Sequence, residues 1–196
     1  MFELRGVIEL LDQKKQLRKK FLAKLNALSI QHRAKINRDL HAQLFQQTEW
    51  KQASTIGVTI SFEHEWDTWP IIEKAWQDHK SVVVPKCNPI DKTMTFYQIK
   101  TEDDLEVQFY NIMEPIETRT NSVNKQAIDL LIVPGVVFDD YHYRIGHGGG
   151  YYDRFLADFS GDTVSLVWQG QMIAKIMTES FDQPIKQLIV SHQSSD

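Results

Sequence analysis

Four of the five residues from position 146 to position 150 are glycine, and polar side chains stand directly beside them. The segment from Arg144 to Phe155 is RIGHGGGYYDRF. An ordered glycine costs about 0.5–1 kcal/mol relative to alanine, so four together need a physical reason. A tight turn requires one or two glycines, whereas backbone amides that approach an anion closely can use all four. These residue types at this spacing favour phosphate binding over a simple turn.

Two familiar phosphate loops do not fit this segment. A dinucleotide fingerprint has glycine at its first, third and sixth positions, and the sixth residue counted from Gly146 is Tyr151. A P-loop requires Gly-Lys followed by Ser or Thr, and the sequence does not contain that tripeptide. The segment is therefore a phosphate loop of another kind, placed before a predicted helix whose N-terminus would add to the anion site.

A block of positive charge is the second feature that could attract an anion. From Lys14 to Arg38 the chain has nine Lys and Arg residues and neither Asp nor Glu. Such a block is either the solvated face of a helix or an anion-binding surface. Composition alone favours the solvated face.

Apolar periodicity predicts the elements that must position these groups. Residues 10–28 form an amphipathic helix, and Ser29 is the expected N-cap of a second helix. The alternation in TIGVTISF, residues 55–62, predicts a strand. A helix capped by Thr68 is expected to reach about His79. Further strands are predicted at SVVVPK, MTFYQI, AIDLLIVPG, TVSLVW and QLIVS, and a further helix at 151–159.

Because strands alternate with helices, the chain is predicted to be a single-domain α/β protein, a three-layer sandwich around a mainly parallel sheet. The domain spans 1–196, with N-terminal helices at 10–48 and the α/β core at 54–192. No linker, internal repeat or low-complexity segment divides the sequence. Binding residues are expected in loops at the carboxyl ends of the parallel strands.

Composition limits the possible functions. The chain has 42% hydrophobic and 24% charged residues, a net charge of −4 and a single cysteine, Cys87. The negative charge argues against a nucleic-acid-binding protein. The apolar runs are too short to cross a bilayer, and acidic residues near the N-terminus argue against a signal peptide. One cysteine allows no internal disulfide, so we expect a reducing, cytoplasmic setting and no catalytic role for Cys87.

With these residues in view, the segment from Leu130 to Leu156 resembles the signature of the 5-formyltetrahydrofolate cyclo-ligases, also called methenyltetrahydrofolate synthetases. That pattern is a strand ending in Val-Pro-Gly, then Phe-Asp, then Arg-x-Gly-x-Gly-x-Gly-Tyr-Tyr-Asp. The matching residues are Val133, Pro134, Gly135, Phe138, Asp139, Arg144, Gly146, Gly148, Gly150, Tyr151, Tyr152 and Asp153. The resemblance extends through the chain, at KKQLRKK, SFEHEWDTWPII and FDQPIKQLIVS.

The resemblance implies a reaction on small molecules. Members of the family convert 5-formyltetrahydrofolate to 5,10-methenyltetrahydrofolate with ATP and Mg²⁺, releasing ADP and phosphate. Such chemistry depends on positioning and charge neutralisation, which suits a chain with a glycine loop and basic residues but no hydrolase motif such as G-x-S-x-G. A monomer or weak homodimer is expected, with no nucleic-acid or membrane partner.

The resemblance also implies a nucleotide-binding set. Lys14 and Arg18 match the family's Lys-x-x-x-Arg contact with the ATP phosphates. At about 100° per residue, both lie along one edge of the apolar stripe, whereas Lys15, Lys19 and Lys20 are expected to be solvated. The full set is Lys14, Arg18, Arg144, Ile145, Gly146, His147, Gly148, Gly149, Gly150, Tyr151 and Tyr152, with Arg144 and Tyr152 as catalytic residues.

A folate-binding set and a metal pair follow from the same resemblance. Glu65 is implied to accept two N–H bonds from the pterin; taken alone, it would be a surface carboxylate on a loop. The full set is Ile60, Glu65, His147, Gly148, Gly149, Gly150 and Tyr151. Ile60 equally suits ordinary core, and His147 is at a variable position where its imidazole has no expected role. Asp153 and Asp182 correspond to the Mg²⁺-associated aspartates.

One residue departs from the family pattern. The position between the last two signature glycines is commonly Lys, and here it is Gly149. A charge for the phosphate must then come from elsewhere, or turnover is weaker. Two alternatives stay open, namely a catalytically silent folate- or nucleotide-binding protein of the same fold, and a kinase-like transferase with a different acceptor.

Overall fold

The computed structural model describes residues 2–108 and 112–193, with side chains from residue 10 onward. Its helices are α1 (Phe2–Asn26), α2 (Ile30–Gln46), α3 (Thr48–Gln52), α4 (Trp69–Gln77) and α5 (Tyr151–Leu156). The first helix begins before the predicted residue 10, because the apolar stripe marks only the part that packs on the core. It ends at Asn26 because the Leu28 amide bonds to the Leu25 carbonyl in a tighter turn.

The N-termini of α2 and α4 are stabilised by different hydrogen bonds. The Ser29 side chain accepts a hydrogen bond from the His32 amide at 3.1 Å, which confirms the predicted N-cap of α2. Thr68 stands at the N-cap of α4, but its hydroxyl accepts from the Ser61 amide instead of from the helix. That hydrogen bond ties the start of α4 to the chain that leaves the first strand. The predicted N-cap position of Thr68 is confirmed, although its side chain makes no capping hydrogen bond.

The central strands are shorter than the apolar runs that predict them. Strand β1 covers only Thr55–Gly57, because the backbone leaves the ladder after Val58 while Val58 and Ile60 stay buried. Similarly, α5 ends at Leu156 rather than 159. The other strands are β2 (Ser81–Cys87), β3 (Met94–Ile99), β4 (Leu105–Val107), β5 (Met113–Pro115), β6 (Asn121–Val123), β7 (Leu130–Ile132), β8 (Val137–Asp139), β9 (Arg144–Ile145), β10 (Asp162–Trp168), β11 (Met172–Ile173) and β12 (Gln187–Ser191).

The central sheet has seven strands in the order β12-β10-β7-β1-β2-β3-β6. The strands from β12 to β2 are parallel, and β3 and β6 extend the sheet in antiparallel pairing. The prediction of a mainly parallel sheet is confirmed. The chain segments that follow β1 and β7 consequently leave the same edge of the sheet side by side. The segment after β1 carries Glu65, and the segment after β7 reaches the glycine run by way of β8 and β9.

Buried residues on the two faces of the sheet form two separate core clusters. Val82 and Val84 pack with α1, α2 and α4, whereas Val83 between them packs with α5. This alternation is the period-two pattern of a strand covered on both faces. Helices on both sides confirm the predicted three-layer sandwich. Within the described residues, no helix combines the length and the apolarity needed to cross a membrane.

A small second sheet, β11-β8-β9, holds the segment that leads into the glycine run. Asp139 at the end of β8 is fully buried, and its carboxylate accepts hydrogen bonds from the amides of Tyr141, Tyr143 and Ile176 at 2.8–3.0 Å. Three backbone donors offset the cost of burying this charge. Asp139 thus fixes the β8–β9 turn and the direction in which the glycine segment leaves it.

Candidate active site

The glycine segment is shaped by two residues with positive φ. Gly148 and Gly150 have φ values of +103° and +68°, a region that residues with a side chain rarely adopt. Gly146 faces open space, since a Cβ at this position would meet no heavy atom within 4 Å. Because α5 has only six residues, the dipole contribution expected at its N-terminus is small. The open, left-handed backbone itself is what the segment offers to a ligand.

Arg18 of α1 lies directly against this segment. Its Nε donates to the Gly146 carbonyl at 2.7 Å, and its guanidinium carbon would be 3.4 Å from a Cβ on Gly148. Among the described residues, its two terminal nitrogens have no hydrogen-bond partner. Burial lowers the pKa of Arg18, and an arginine nevertheless stays charged at neutral pH. The helix therefore presents a cation with unused donors to the glycine backbone.

Lys14, one turn earlier, pairs with the loop before β12. Its Nζ lies 2.6 Å from Oδ2 of Asp182 and 3.0 Å from Oε2 of Glu179, and the Lys14 and Asp182 side chains are mostly buried. Oδ2 of Asp182 also accepts from the Glu179 amide. The basic edge of α1, the glycine segment and the Asp182 loop are thereby brought into one cleft from three distant parts of the sequence.

Arg144 and Asp153 form the floor of the same cleft. Nη1 of Arg144 lies 3.2 Å from Oδ1 of Asp153 and donates to the Gln183 carbonyl at 3.0 Å. The Arg144 side chain is only 3% exposed. Burial lowers the pKa of Arg144, and Asp153 opposes that shift. Arg144 thus fixes Asp153 and the residue after Asp182, while Arg18 is the arginine that faces the open side of the loop.

Glu65 meets the glycine segment through His147. Its Oε2 accepts from the Phe62 amide at 3.0 Å, and its Oε1 lies 3.2 Å from Nε2 of His147. The His147 ring also stands 5.2 Å from the ring of His64. The imidazole of His147, for which the sequence predicted no role, is therefore the contact between the glycine segment and the carboxylate expected to hold the pterin.

A cavity at the carboxyl ends of β1 and β7 adjoins this contact. Its enclosed volume is about 30 Å³, and Glu65, His64, Thr59, Pro134 and Gly135 are among the residues that line it. The buried side chain of Gln171 closes the far wall. Its amide oxygen accepts from the Trp66 indole, and its amide nitrogen donates to the Gly135 and Val136 carbonyls.

Comparison with known proteins identifies a family that matches most of the chain. The model of the 5-formyltetrahydrofolate cyclo-ligase family matches residues 11–191. The chain belongs to this cyclo-ligase family. A 5-formyltetrahydrofolate cyclo-ligase of Haemophilus influenzae is 31% identical over 176 residues, which cover 88% of this chain and 92% of the relative. The Escherichia coli K12 relative of the same name is 31% identical over 141 residues, covering 70% and 78%.

A solved structure gives the same result for the fold. The NMR structure of the Aquifex aeolicus 5,10-methenyltetrahydrofolate synthetase has a TM-score of 0.79 and 29% identity, covering 90% of this chain and 89% of that one. The predicted family, fold class and enzyme class are confirmed. As a cyclo-ligase, the chain is a ligase of folate one-carbon chemistry.

The two aspartates expected at the cyclo-ligase metal are neighbours but do not form a closed metal site. Among the described residues, no three His, Cys, Asp or Glu side chains converge in a way that could hold a metal. Asp153 uses Oδ1 for Arg144 and the Gln183 amide, and Asp182 uses Oδ2 for Lys14. Each keeps a second oxygen. Magnesium takes one or two carboxylates together with phosphates and waters, so this set fits an ion that arrives on a nucleotide.

Two tyrosines of the signature have different surroundings. The Tyr152 hydroxyl is buried beside Thr59 without a full hydrogen-bond partner among the described residues. Burial, with Glu65 nearby, holds the pKa of Tyr152 well above its usual range, so the hydroxyl stays neutral. Tyr151 lies under Lys92, with Nζ 5.7 Å from its ring centre. Tyr152 is thus a buried neutral hydroxyl close to Glu65, and Tyr151 walls the outer side of the loop.

The remaining expectations divide between core and surface. Ile60 is 9% exposed and packs in the core; among the described residues it does not line the cavity. Burial and Glu114 raise the pKa of Cys87 to about 11, which agrees with the absence of a predicted catalytic role. Trp66 is buried, and Trp69 and Trp76 pack against the same core. The predicted solvated lysines are exposed: Lys15, Lys19 and Lys20.

Proposed function

We propose that this chain converts 5-formyltetrahydrofolate to 5,10-methenyltetrahydrofolate with Mg-ATP. The formyl oxygen attacks the γ-phosphorus, and the bond from that phosphorus to the ADP oxygen breaks. N10 then attacks the former formyl carbon and loses its proton. The bond from that carbon to the phosphate oxygen breaks, so inorganic phosphate leaves as the five-membered ring closes. Phosphorylation is needed because an amide oxygen is otherwise a very poor leaving group. ADP and phosphate are the products, and no oxidant or reductant takes part.

One observation carries the proposal. Arg18 lies against the glycine loop with both terminal nitrogens unused, while His147 of the same loop contacts Glu65. A phosphate held by the loop and Arg18 would stand close to a ligand held by Glu65. Phosphoryl transfer between two bound substrates requires this proximity and little else beyond charge neutralisation.

The cationic side of the cleft has defined roles in this proposal. Arg18 binds the phosphates with its terminal nitrogens. Lys14 contacts them by exchanging its ion pair with Asp182 for a phosphate oxygen, which leaves the Asp182 carboxylate available. Asp153 and Asp182 would hold Mg²⁺, which when bound neutralises charge on the phosphates. Arg144 holds Asp153 in place and brings positive charge under the reacting groups.

The carboxylate side binds the folate in this proposal. Glu65 accepts two N–H groups of the pterin once His147 has moved from it. Because the Tyr152 hydroxyl is neutral and lacks a full hydrogen-bond partner, it can donate to the substrate near the reacting formyl group. Tyr151 and the backbone from Gly148 to Gly150 form the wall between the two substrates.

Gly149 in place of the family's usual Lys does not leave the loop without charge. Arg154 folds back from α5, and its Nη1 donates to the Gly149 carbonyl at 3.1 Å. A Cβ at position 149 would lie 2.6 Å from the ring of Tyr151. Glycine therefore allows Tyr151 to cover the loop, while Arg18 and Arg154 supply one cation at each end. This arrangement favours a working enzyme over a silent binding protein.

The decisive experiment is to incubate the protein with 5-formyltetrahydrofolate and Mg-ATP and to record the near-ultraviolet absorbance of methenyltetrahydrofolate. We expect an absorbance rise that needs both ATP and Mg²⁺ and is matched mole for mole by ADP. No absorbance rise at high enzyme concentration would support the alternative, a catalytically silent binding protein of the same fold. ADP release that does not depend on folate would instead indicate a kinase-like transferase.

A further inference from the structure

His64 is a buried polar side chain, and one of its ring nitrogens has no hydrogen-bond partner in the described part of the protein. It is 9% exposed, and its Nε2 is buried with no hydrogen-bond partner among the described residues. An unpaired buried polar group costs about 1–3 kcal/mol. Its backbone is held by Arg33, whose Nη1 donates to the His64 carbonyl at 2.9 Å. The residue is therefore fixed in place, while its side chain carries an unmet hydrogen-bonding capacity.

The unpaired ring belongs to the wall of a cavity. His64 and Glu65 are consecutive residues, and both line the cavity at the carboxyl ends of β1 and β7. With about 30 Å³, the cavity has room for roughly one water molecule. His147 contacts Glu65 and packs against the His64 ring, so it covers these two lining residues. Displacing His147 would free Glu65 and uncover His64 together.

The chemical state of His64 follows from its neighbours. Burial and the adjacent His147 lower the pKa of His64, so the ring is neutral at pH 7. Oε2 of Glu63 lies 3.8 Å from Nδ1. A carboxylate on that side favours the tautomer with the proton on Nδ1, which leaves Nε2 as an acceptor. Two consecutive residues of the cavity lining thus supply acceptors, the Glu65 carboxylate and the buried His64 Nε2.

We propose that His64 is a second folate-binding residue, whose Nε2 accepts the second N–H of the pterin 2-amino group. This inference rests on the proposed function, in which Glu65 accepts the pterin N3–H and one N–H of that amino group. An amino group has two hydrogens, and a carboxylate that bridges N3 and the amino nitrogen uses only one of them. The next acceptor along the chain is the unpaired one, so His64 completes recognition of an aminopyrimidine edge.

The test compares His64→Leu, which removes the acceptor, with His64→Gln, which keeps a polar group. At saturating Mg-ATP, His64→Leu is expected to raise the folate KM by roughly tenfold, the effect of one buried hydrogen bond, and to leave the ATP KM unchanged. His64→Gln should recover part of the affinity. Since Leu removes an unsatisfied group, the Tm of this variant should be unchanged or about 2–4 °C higher. His79→Asn, at an exposed histidine, is the control and should change neither the folate KM nor the Tm.

A ligand change makes the test specific to the amino group. An analogue of 5-formyltetrahydrofolate without the 2-amino group should bind wild-type protein and His64→Leu with equal affinity. The loss of affinity caused by removing the amino group and the loss caused by removing His64 should therefore not add. Binding is measured directly by tryptophan fluorescence, so the result does not depend on turnover. A lower Tm with unchanged folate binding would show that His64 is a core residue and would overturn the inference. Failure of the proposed function would appear instead as missing methenyltetrahydrofolate in the wild type.

Discussion

The half of the cleft that we propose for the nucleotide and the half that we propose for the folate differ in how far their polar groups are already paired. In the nucleotide half, Lys14 is paired with Asp182, Arg144 with Asp153, and Arg18 with the Gly146 carbonyl. In the folate half, the His64 Nε2 and the Tyr152 hydroxyl are buried without full partners among the described residues. Glu65 is the charged group of that half, and it too is paired, with His147.

The difference follows from the cost of burying each kind of group. An uncompensated buried charge costs about 3–5 kcal/mol, whereas a neutral unpaired group costs about 1–3 kcal/mol. The charges of Lys14 and Arg144 are therefore paired within the protein, and in the proposed function a phosphate exchanges the Lys14 pair. Arg18 is less buried than Arg144, so its terminal nitrogens can stay without a hydrogen-bond partner among the described residues. Neutral groups can stay unpaired and contribute their full hydrogen bond on binding.

Removing a cation from the nucleotide half should have the largest effect. Arg18→Ala is expected to lower kcat/KM for ATP by about 10²–10³, since it removes a preorganised group that stabilises the transferring phosphate. Lys19→Ala, on the exposed face of the same helix, is the matched control and should stay near wild type. Steady-state rates with ATP varied at saturating folate measure both. Equal losses in the two variants would show that general charge, not the Arg18 contact, is what matters.

Neutralising the charge of the folate half should have the next largest effect. Glu65→Gln keeps the size of the side chain but replaces one acceptor oxygen with a donor, so the folate KM should rise about 10–100-fold. The ATP KM should change little, because the phosphates are held elsewhere. Glu73→Gln is the control, at an exposed carboxylate on α4. A folate KM that does not change in Glu65→Gln would remove this residue from the pterin site.

The loop between the two halves can be tested through stability. Gly148→Ala places a side chain at φ +103° against Arg18 and should lower the unfolding free energy by roughly 1–2 kcal/mol. Gly146→Ala, in open space without positive φ, should leave the Tm nearly unchanged or slightly raise it. Thermal unfolding followed by circular dichroism distinguishes them. Equal Tm values for the two variants would contradict the left-handed conformation at Gly148.

Acid should weaken the fold through histidines that are buried in the neutral state. Burial lowers the pKa values of His41 and His64, so the folded protein binds fewer protons than the unfolded chain. Stability therefore rises with pH and is lost as the pH falls from about 7 through the unfolded pKa near 6.5. The Tm of a His41→Gln, His64→Gln double variant should vary less over this range than that of His192→Gln, a control at an exposed histidine. Parallel curves of Tm against pH for the two variants would contradict the assignment of His41 and His64 as histidines buried in the neutral state.

The local elements were largely determined by the sequence. The Ser29 cap, strands β2, β3, β10 and β12 and the exposed Lys15 and Lys19 were predicted from periodicity alone, because those features depend on residues close in sequence. Element ends were less predictable. Strand β1 stops at Gly57 although apolar alternation continues to Phe62, because pairing with neighbouring strands decides where a strand ends.

The arrangement of the site was decided by the tertiary structure. The sequence, through its resemblance to a family, named Lys14, Arg18, Glu65 and the glycine segment. It placed His147 in that segment without a role for the imidazole, and it did not single out His64. The Lys14–Asp182 pair joins residues 168 positions apart, and the His147–Glu65 contact spans 82. The second contact exists because β1 and β7 are neighbours in the sheet, so the chain segments that follow them leave it at the same edge. Periodicity reports which face of an element is buried, whereas sheet order decides which side chains meet.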